Sequence, residues 1–115
     1  MGRKTFEFIL NKAFLWDRIN IIITQQKKVE INNMIRENGW RNVMVAGSLE
    51  EALGMLHHPI VDEVFVIGGK SLFEEGIKLK ECTSVWQTTV HKEFPCDQHL
   101  DLGGYLKDNY TLSEV

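Results

Sequence analysis

The chain has 115 residues, 43% of them hydrophobic and 25% charged, which suits one soluble globular domain and leaves no room for two. Its net charge of −3 argues against a general nucleic-acid binder but not against a small anionic ligand met by local positive charge. No apolar run is long enough to span a membrane and no signal-peptide core follows Met1, so a cytoplasmic protein with Cys82 and Cys96 as free thiols is expected.

In chain order, Gly2-Arg3-Lys4-Thr5 leads into Phe6, Ile9 and Leu10 at i, i+3 and i+4, the spacing of a short amphipathic helix. Two cations and a hydroxyl at its N-terminus are poor helix electrostatics and good anion chemistry, although a merely solvated start to the chain reads the same way. Residues 11–18 read as a loop. Ile19 to Thr24, with three consecutive isoleucines, predicts a buried strand, and Arg18 at its mouth is either a surface cation or a carboxylate anchor.

Residues 25–42 carry a partial helical stripe (Val29, Ile31, Met34, Ile35) and stop at Asn38-Gly39, which fits a short helix or an ordered loop. Asn42 to Ala46 is a short strand. Ser48-Leu49-Glu50-Glu51 is a capping box opening a helix to about Leu56, with Ala52, Leu53 and Leu56 on its buried face. The adjacent His57 and His58 lack the i, i+4 spacing of a helical metal pair, and no metal site is expected.

Asp62 to Ile67 ends in the continuous apolar run Val64-Phe65-Val66-Ile67, as in a strand buried on both faces. Gly68-Gly69 follows as a tight turn, and Ser71 with Glu74 forms a second capping box for a helix to Ile77. A helix N-terminus at the carboxyl end of a strand can hold a phosphate, though a Gly-Gly turn there can also be purely structural. Thr83 to Val90 is β-branched and aromatic, hence another strand, and Phe94 to Val115 is mostly loop with one short turn. The alternation predicts an α/β fold of three layers, a mainly parallel central sheet of four strands with flanking helices.

These pieces, in this order, resemble dihydrofolate reductase from Met1 to about Leu102. The resemblance rests on Met1-Gly2-Arg3-Lys4-Thr5-Phe6, Arg18-Ile19-Asn20-Ile21, Ser48-Leu49-Glu50-Glu51-Ala52-Leu53, Val66-Ile67-Gly68-Gly69 with Leu72-Phe73, and Phe94 to Asp97. It implies NADPH-dependent reduction of 7,8-dihydrofolate to tetrahydrofolate, in one-carbon metabolism. It implies that Arg3, Lys4 and Thr5 hold phosphates of NADPH, with Thr24 on the 2′-phosphate side. Gln25 stands where the family often has a basic residue, which leaves NADPH against NADH open. Gly68, Gly69, Lys70, Ser71 and Leu72 would cover the pyrophosphate and nicotinamide, the two glycines being joined by a cis peptide in the family. Phe73 occupies a position more often tyrosine. Ile67 would border both nicotinamide and pterin, Ile9 and Leu15 would line the benzoyl region, Arg18 would pair with the glutamate carboxylate, and Thr88 would support the pterin.

In the family, Met1 corresponds to an internal methionine. The resemblance therefore implies that residues 1–115 form a single, partial domain. It would lack the segment that bears the catalytic Asp or Glu, and also the last strands. No residue is assigned as catalytic. The expectation is weak or absent turnover by this chain alone, with association through an exposed sheet edge; the alternative is a non-catalytic NADP(H)-binding or scaffold remnant of the same fold. The phenylalanine and tryptophan of Phe14-Leu15-Trp16-Asp17 stand in a loop that usually carries Pro and Gly.

Overall fold

A computed structural model describes residues 1–12, 15, 17–56 and 61–113. The side chain of Leu10, residues Phe14 and Trp16, and the His57-His58-Pro59 stretch lie outside the described residues. The elements are α1 (Arg3–Lys12), β1 (Asn20–Ile23), α2 (Lys28–Asn38), β2 (Val43–Ala46), α3 (Leu49–Met55), α4 (Lys70–Ile77) and α5 (Gly103–Asn109). No helix among them is long and apolar enough to cross a membrane.

β1 and β2 are parallel, with Ile21 opposite Met44 and Ile22 opposite Val45. Strand alternation sends consecutive isoleucines to opposite faces. Ile22 joins Phe6 of α1, Ile31 of α2 and Val43, with Trp40 and Val45 packed around them. Phe6 and Trp40 meet edge to face, their ring centroids 6.0 Å apart. Ile21 points the other way, to Ala46 and to Ala52 of α3. The order across the sheet is therefore helix, sheet, helix, the three layers that the sequence predicts.

The open choice over residues 25–42 resolves to a helix. Ile31 anchors α2 in the core, and Gly39 ends it in the left-handed conformation (φ 65°). Gly39 N–H donates to Arg36 O and Trp40 N–H to Ile35 O, the paired bonds of a Schellman ending. α3 starts as expected: the Ser48 hydroxyl accepts from Glu51 N–H at 3.1 Å. The box is shifted on its other side, because the Glu51 carboxylate accepts from Gly47 N–H at 2.8 Å instead of from Ser48.

Four expectations are corrected. Asp62 to Ile67 is not a strand, and neither is Thr83 to Val90, so among the described residues the sheet has two strands rather than four. An apolar, β-branched run favours an extended chain, but a strand also needs a neighbour to take its N–H and C=O groups. Among the described residues neither run has one, and Val64, Phe65, Trp86 and Val90 are exposed. α4 begins at Lys70 with Gly69 as its cap, not at Ser71; Ser71 lies inside the first turn and makes no capping bond. The tail holds a helix, α5, rather than a single turn. Tyr105 Oη donates to Ile77 O at 3.3 Å, and Tyr110 Oη donates to Cys82, fastening α5 to the exit of α4.

Cys82 and Cys96 are not bridged.

Candidate cofactor and substrate grooves

Met1 and Gly2 run between β1 and the segment that carries the glycines. The Met1 amino group donates to Ile21 O at 2.9 Å, Ile23 N–H donates to Met1 O at 2.7 Å, and Gly2 N–H donates to Gly68 O at 2.8 Å. Burial lowers the pKa of the Met1 amino group. These three bonds set the start of α1 beside the start of α4. The Gly68–Gly69 peptide is cis, as the resemblance implies. Gly68 is buried at φ 131°, and a Cβ there would stand 3.1 Å from Thr5 Oγ1, so Thr5 approaches the turn as closely as a residue without a side chain allows.

One groove, of about 850 Å³, opens at the carboxyl ends of the two strands. Arg3, Lys4 and Thr5 from α1, Thr24 and Gln25 after β1, Gly47 and Ser48 after β2, and Gly69, Lys70, Ser71 and Leu72 from α4 line it. The N-termini of α1, α3 and α4 thus converge on one space, each bringing unpaired N–H groups and the positive end of its dipole. Arg3, Lys4 and Lys70 add full positive charge. Arg3 is held by Glu7 at 2.8 Å, whereas Lys4 and Lys70 make no ion pair among the described residues. Glu74, Glu75 and Asp97 stand on the same wall and set its acidic limit. Ile67, Gly68 and Phe73 are not in this lining; Gly68 lies behind Thr5, and a Phe73 ring carbon is 3.8 Å from where a Gly68 Cβ would be.

A second groove, of about 520 Å³, lies between β1, α3 and the extended stretch 61–67. Leu15, Arg18 and Ile67 line it together, and Ile23, Leu49 and Leu72 are common to both grooves. Its carboxylates are Asp17, Asp62 and Glu63, all exposed. Ile9 and Thr88 do not reach it: Ile9 is half-buried on α1, and Thr88 is exposed on a stretch outside the sheet.

Arg18 is held at this groove by residues whose role the sequence did not disclose. Asn20 is 3% exposed, and its Nδ2 donates to Leu15 O at 2.8 Å and to Arg18 O at 2.9 Å. Asn42 Nδ2 reaches the same two carbonyls at 3.3 and 3.0 Å. The guanidinium itself stays exposed, 3.9 Å from the Asp17 carboxylate. The signal for Asn20 was a polar residue inside a run of isoleucines; nothing local marked Asn42 or Gly47. Among the described residues no cluster of His, Cys, Asp and Glu could hold a metal ion.

The profile of the family described as dihydrofolate reductase matches residues 1–110. The chain belongs to the dihydrofolate reductase family. It is 31% identical over 99 residues to a dihydrofolate reductase of Heliothis virescens, covering 84% of this chain and 51% of the relative. It is 30% identical over 105 residues to a dihydrofolate reductase of Pneumocystis carinii, covering 84% of this chain and 47% of that one. A bifunctional dihydrofolate reductase-thymidylate synthase of Paramecium tetraurelia is 35% identical over 101 residues, which is 88% of this chain and 19% of the relative. The chain thus spans about half the length of the two single-function relatives and about a fifth of the bifunctional one. No solved structure gives a significant match.

Proposed function

We propose that this chain forms the cofactor wall and part of the folate wall of an NADPH-dependent dihydrofolate reductase, acting in one-carbon metabolism. The observation that carries the reading is the convergence of Arg3, Lys4 and Thr5 with Gly69, Lys70 and Ser71 on one groove, in a chain of this family. The donor set fits a dinucleotide. Three helix N-termini and three cations suit its phosphates, and the close Thr5–Gly68 approach leaves a wall without a side chain for a flat ring to lie against. Thr24 would face the 2′-phosphate side.

NADPH, when bound, supplies the hydride for dihydrofolate reduction. The residues of this chain bind and orient. Lys4 and Lys70 offer charge to phosphates, with Arg3 released from Glu7 to join them. Ile67 and Leu72 shield the reacting face from water. Phe73 packs near the glycine turn without contributing a hydroxyl. Arg18, presented by Asn20 and Asn42, pairs in a planar fork with the glutamate carboxylate of the substrate, beside Leu15. Proton delivery to N5 requires an acid. Asp17, Asp62 and Glu63 are exposed carboxylates in the groove, and none of them is assigned that role.

The reading extends to a cytoplasmic location, which the two free thiols support. It also extends to association through the stretch 61–67, which the exposed Val64, Phe65 and Ile67 support. The test is NADPH oxidation by the purified chain on addition of dihydrofolate. Saturable NADPH binding with slow oxidation that an antifolate abolishes is the expected result. NADPH binding with no oxidation would favour a non-catalytic dinucleotide binder, and absence of both would overturn the assignment.

A further inference from the structure

Within the proposed cofactor groove, one chemical question has no answer among the residues taken so far. A dinucleotide with a 2′-phosphate differs from one without it by about two negative charges, and selecting the first requires a cation where that phosphate lies. The residue directly after Thr24 is Gln25, which is neutral. A cation reaches the same corner from further along the chain.

Thr24 and Gly47 adjoin, because Thr24 N–H donates to Ala46 O at 3.0 Å where the parallel strands end. Lys28 opens α2 and folds its side chain back over this junction. Its Nζ stands 3.1 Å, and its Cε 3.3 Å, from where a Cβ on residue 47 would be. Glycine at 47 leaves that space to the ammonium and to the Glu51 carboxylate, whose Oε2 stands 3.0 Å from the same point; any side chain there would compete with both. The carboxylate of Glu51 is 3.8 Å from Lys28 Nζ, beyond hydrogen-bond length, and is already engaged by Gly47 N–H at 2.8 Å. Lys28 Nζ therefore makes no hydrogen bond among the described residues, and its one charged partner there is Glu51, in a long ion pair that a phosphate at this corner would replace. Lys27 supplies an internal contrast: it carries the same charge and the same 42% exposure, but its Nζ turns away to Glu30 at 3.2 Å.

We propose that Lys28 is the specificity-determining residue for the cofactor, its ammonium meeting the 2′-phosphate of NADPH at the Thr24–Gly47 corner. This rests on the cofactor-groove reading above. The charge that Gln25 does not provide is supplied from the first turn of α2, across the bare backbone of Gly47.

The test is calorimetric titration of the full chain, and of its Lys28→Gln and Lys27→Gln variants, with NADPH and with NADH. Loss of one charge-assisted contact predicts that Lys28→Gln weakens NADPH roughly tenfold. NADH binding should not change in that variant, which also shows that the groove is still folded. Lys27→Gln should leave both affinities as they were. Equal affinity of the wild-type chain for the two dinucleotides would overturn the proposal. So would an equal loss of NADPH affinity in both variants, which would mean general surface charge rather than a placed ammonium. If the wild-type chain bound neither dinucleotide, the cofactor-groove reading would itself fall and Lys28 with it.

Discussion

At the scale of single residues, the groove that holds Arg18 depends on a buried amide in its own lining. Asn20 sits in β1 with its amide buried and directs both Nδ2 hydrogens to the carbonyls of Leu15 and Arg18. Replacing it by Ala leaves those carbonyls to Asn42 alone and empties a buried space. Asn20→Ala is expected to cost about 1–3 kcal/mol of stability, read as a lower urea midpoint. An unchanged midpoint would show that Asn42 suffices. The sequence displayed Asn20 as an interruption among isoleucines, but its partners are peptide carbonyls, which have no sequence signature. Arg18 was visible as a cation at the mouth of a strand; its presentation by two asparagines was not, because Asn42 comes 24 residues later. Arg3, Lys4, Thr5 and the glycine pair were legible because they are contiguous and chemically unlike their surroundings. Lys28 carries no sequence signature, since its position over Gly47 depends on how α2 leaves β1.

At the scale of elements, local signals carried furthest where a helix closes its own hydrogen bonds. Ser48 caps α3 and Gly39 ends α2, both as their residue types predict. Ser48→Ala is expected to cost about 1 kcal/mol. It should also loosen the Gly47–Ser48 wall of the cofactor groove, so its thermal midpoint and its NADPH affinity should fall together. The strands beyond β2 were misread because pairing is not a local property: Val64 to Ile67 has the right composition and no partner strand among the described residues. α5 was missed because Gly103-Gly104 reads as a helix breaker, while Tyr105 and Tyr110 secure the helix through contacts 28 residues away.

Tyr110 gives that attachment a pH dependence. Its hydrogen bond with Cys82, followed by desolvation and the nearby Cys82 and Tyr105 charges, pushes its pKa from 10.0 to about 12. The unfolded chain loses the phenolic proton first, so the contribution of Tyr110 is complete below pH 10.0 and is lost as the pH rises towards about 12. The urea midpoint should therefore drop between about pH 10 and about pH 12, and Tyr110→Phe should flatten that part of the drop. An equal drop in both chains would remove Tyr110 from the account.

At the scale of the whole molecule, the two core clusters lie on either side of a two-stranded sheet, and a long apolar stretch remains outside them. Phe65 is 55% exposed and Trp86 76%, with Val64, Ile67 and Val90 also open to solvent. Exposed apolar surface of this kind favours association. Sedimentation velocity should show a mass that rises with concentration, and a strict monomer throughout would contradict that expectation. The proposed cofactor groove is lined instead by α1, the strand ends and α4.

The most direct measurement of the central claim is therefore a titration of the chain with NADPH, alongside its Lys4→Glu variant. Lys4 is exposed and has no ion-pair partner among the described residues, so the exchange reverses a charge in the groove without opening the core. The account predicts saturable binding by the wild-type chain and a loss of roughly tenfold or more in the variant. Absence of saturation in the wild-type chain, or equal affinity in the two, would contradict the assignment of this groove to the cofactor.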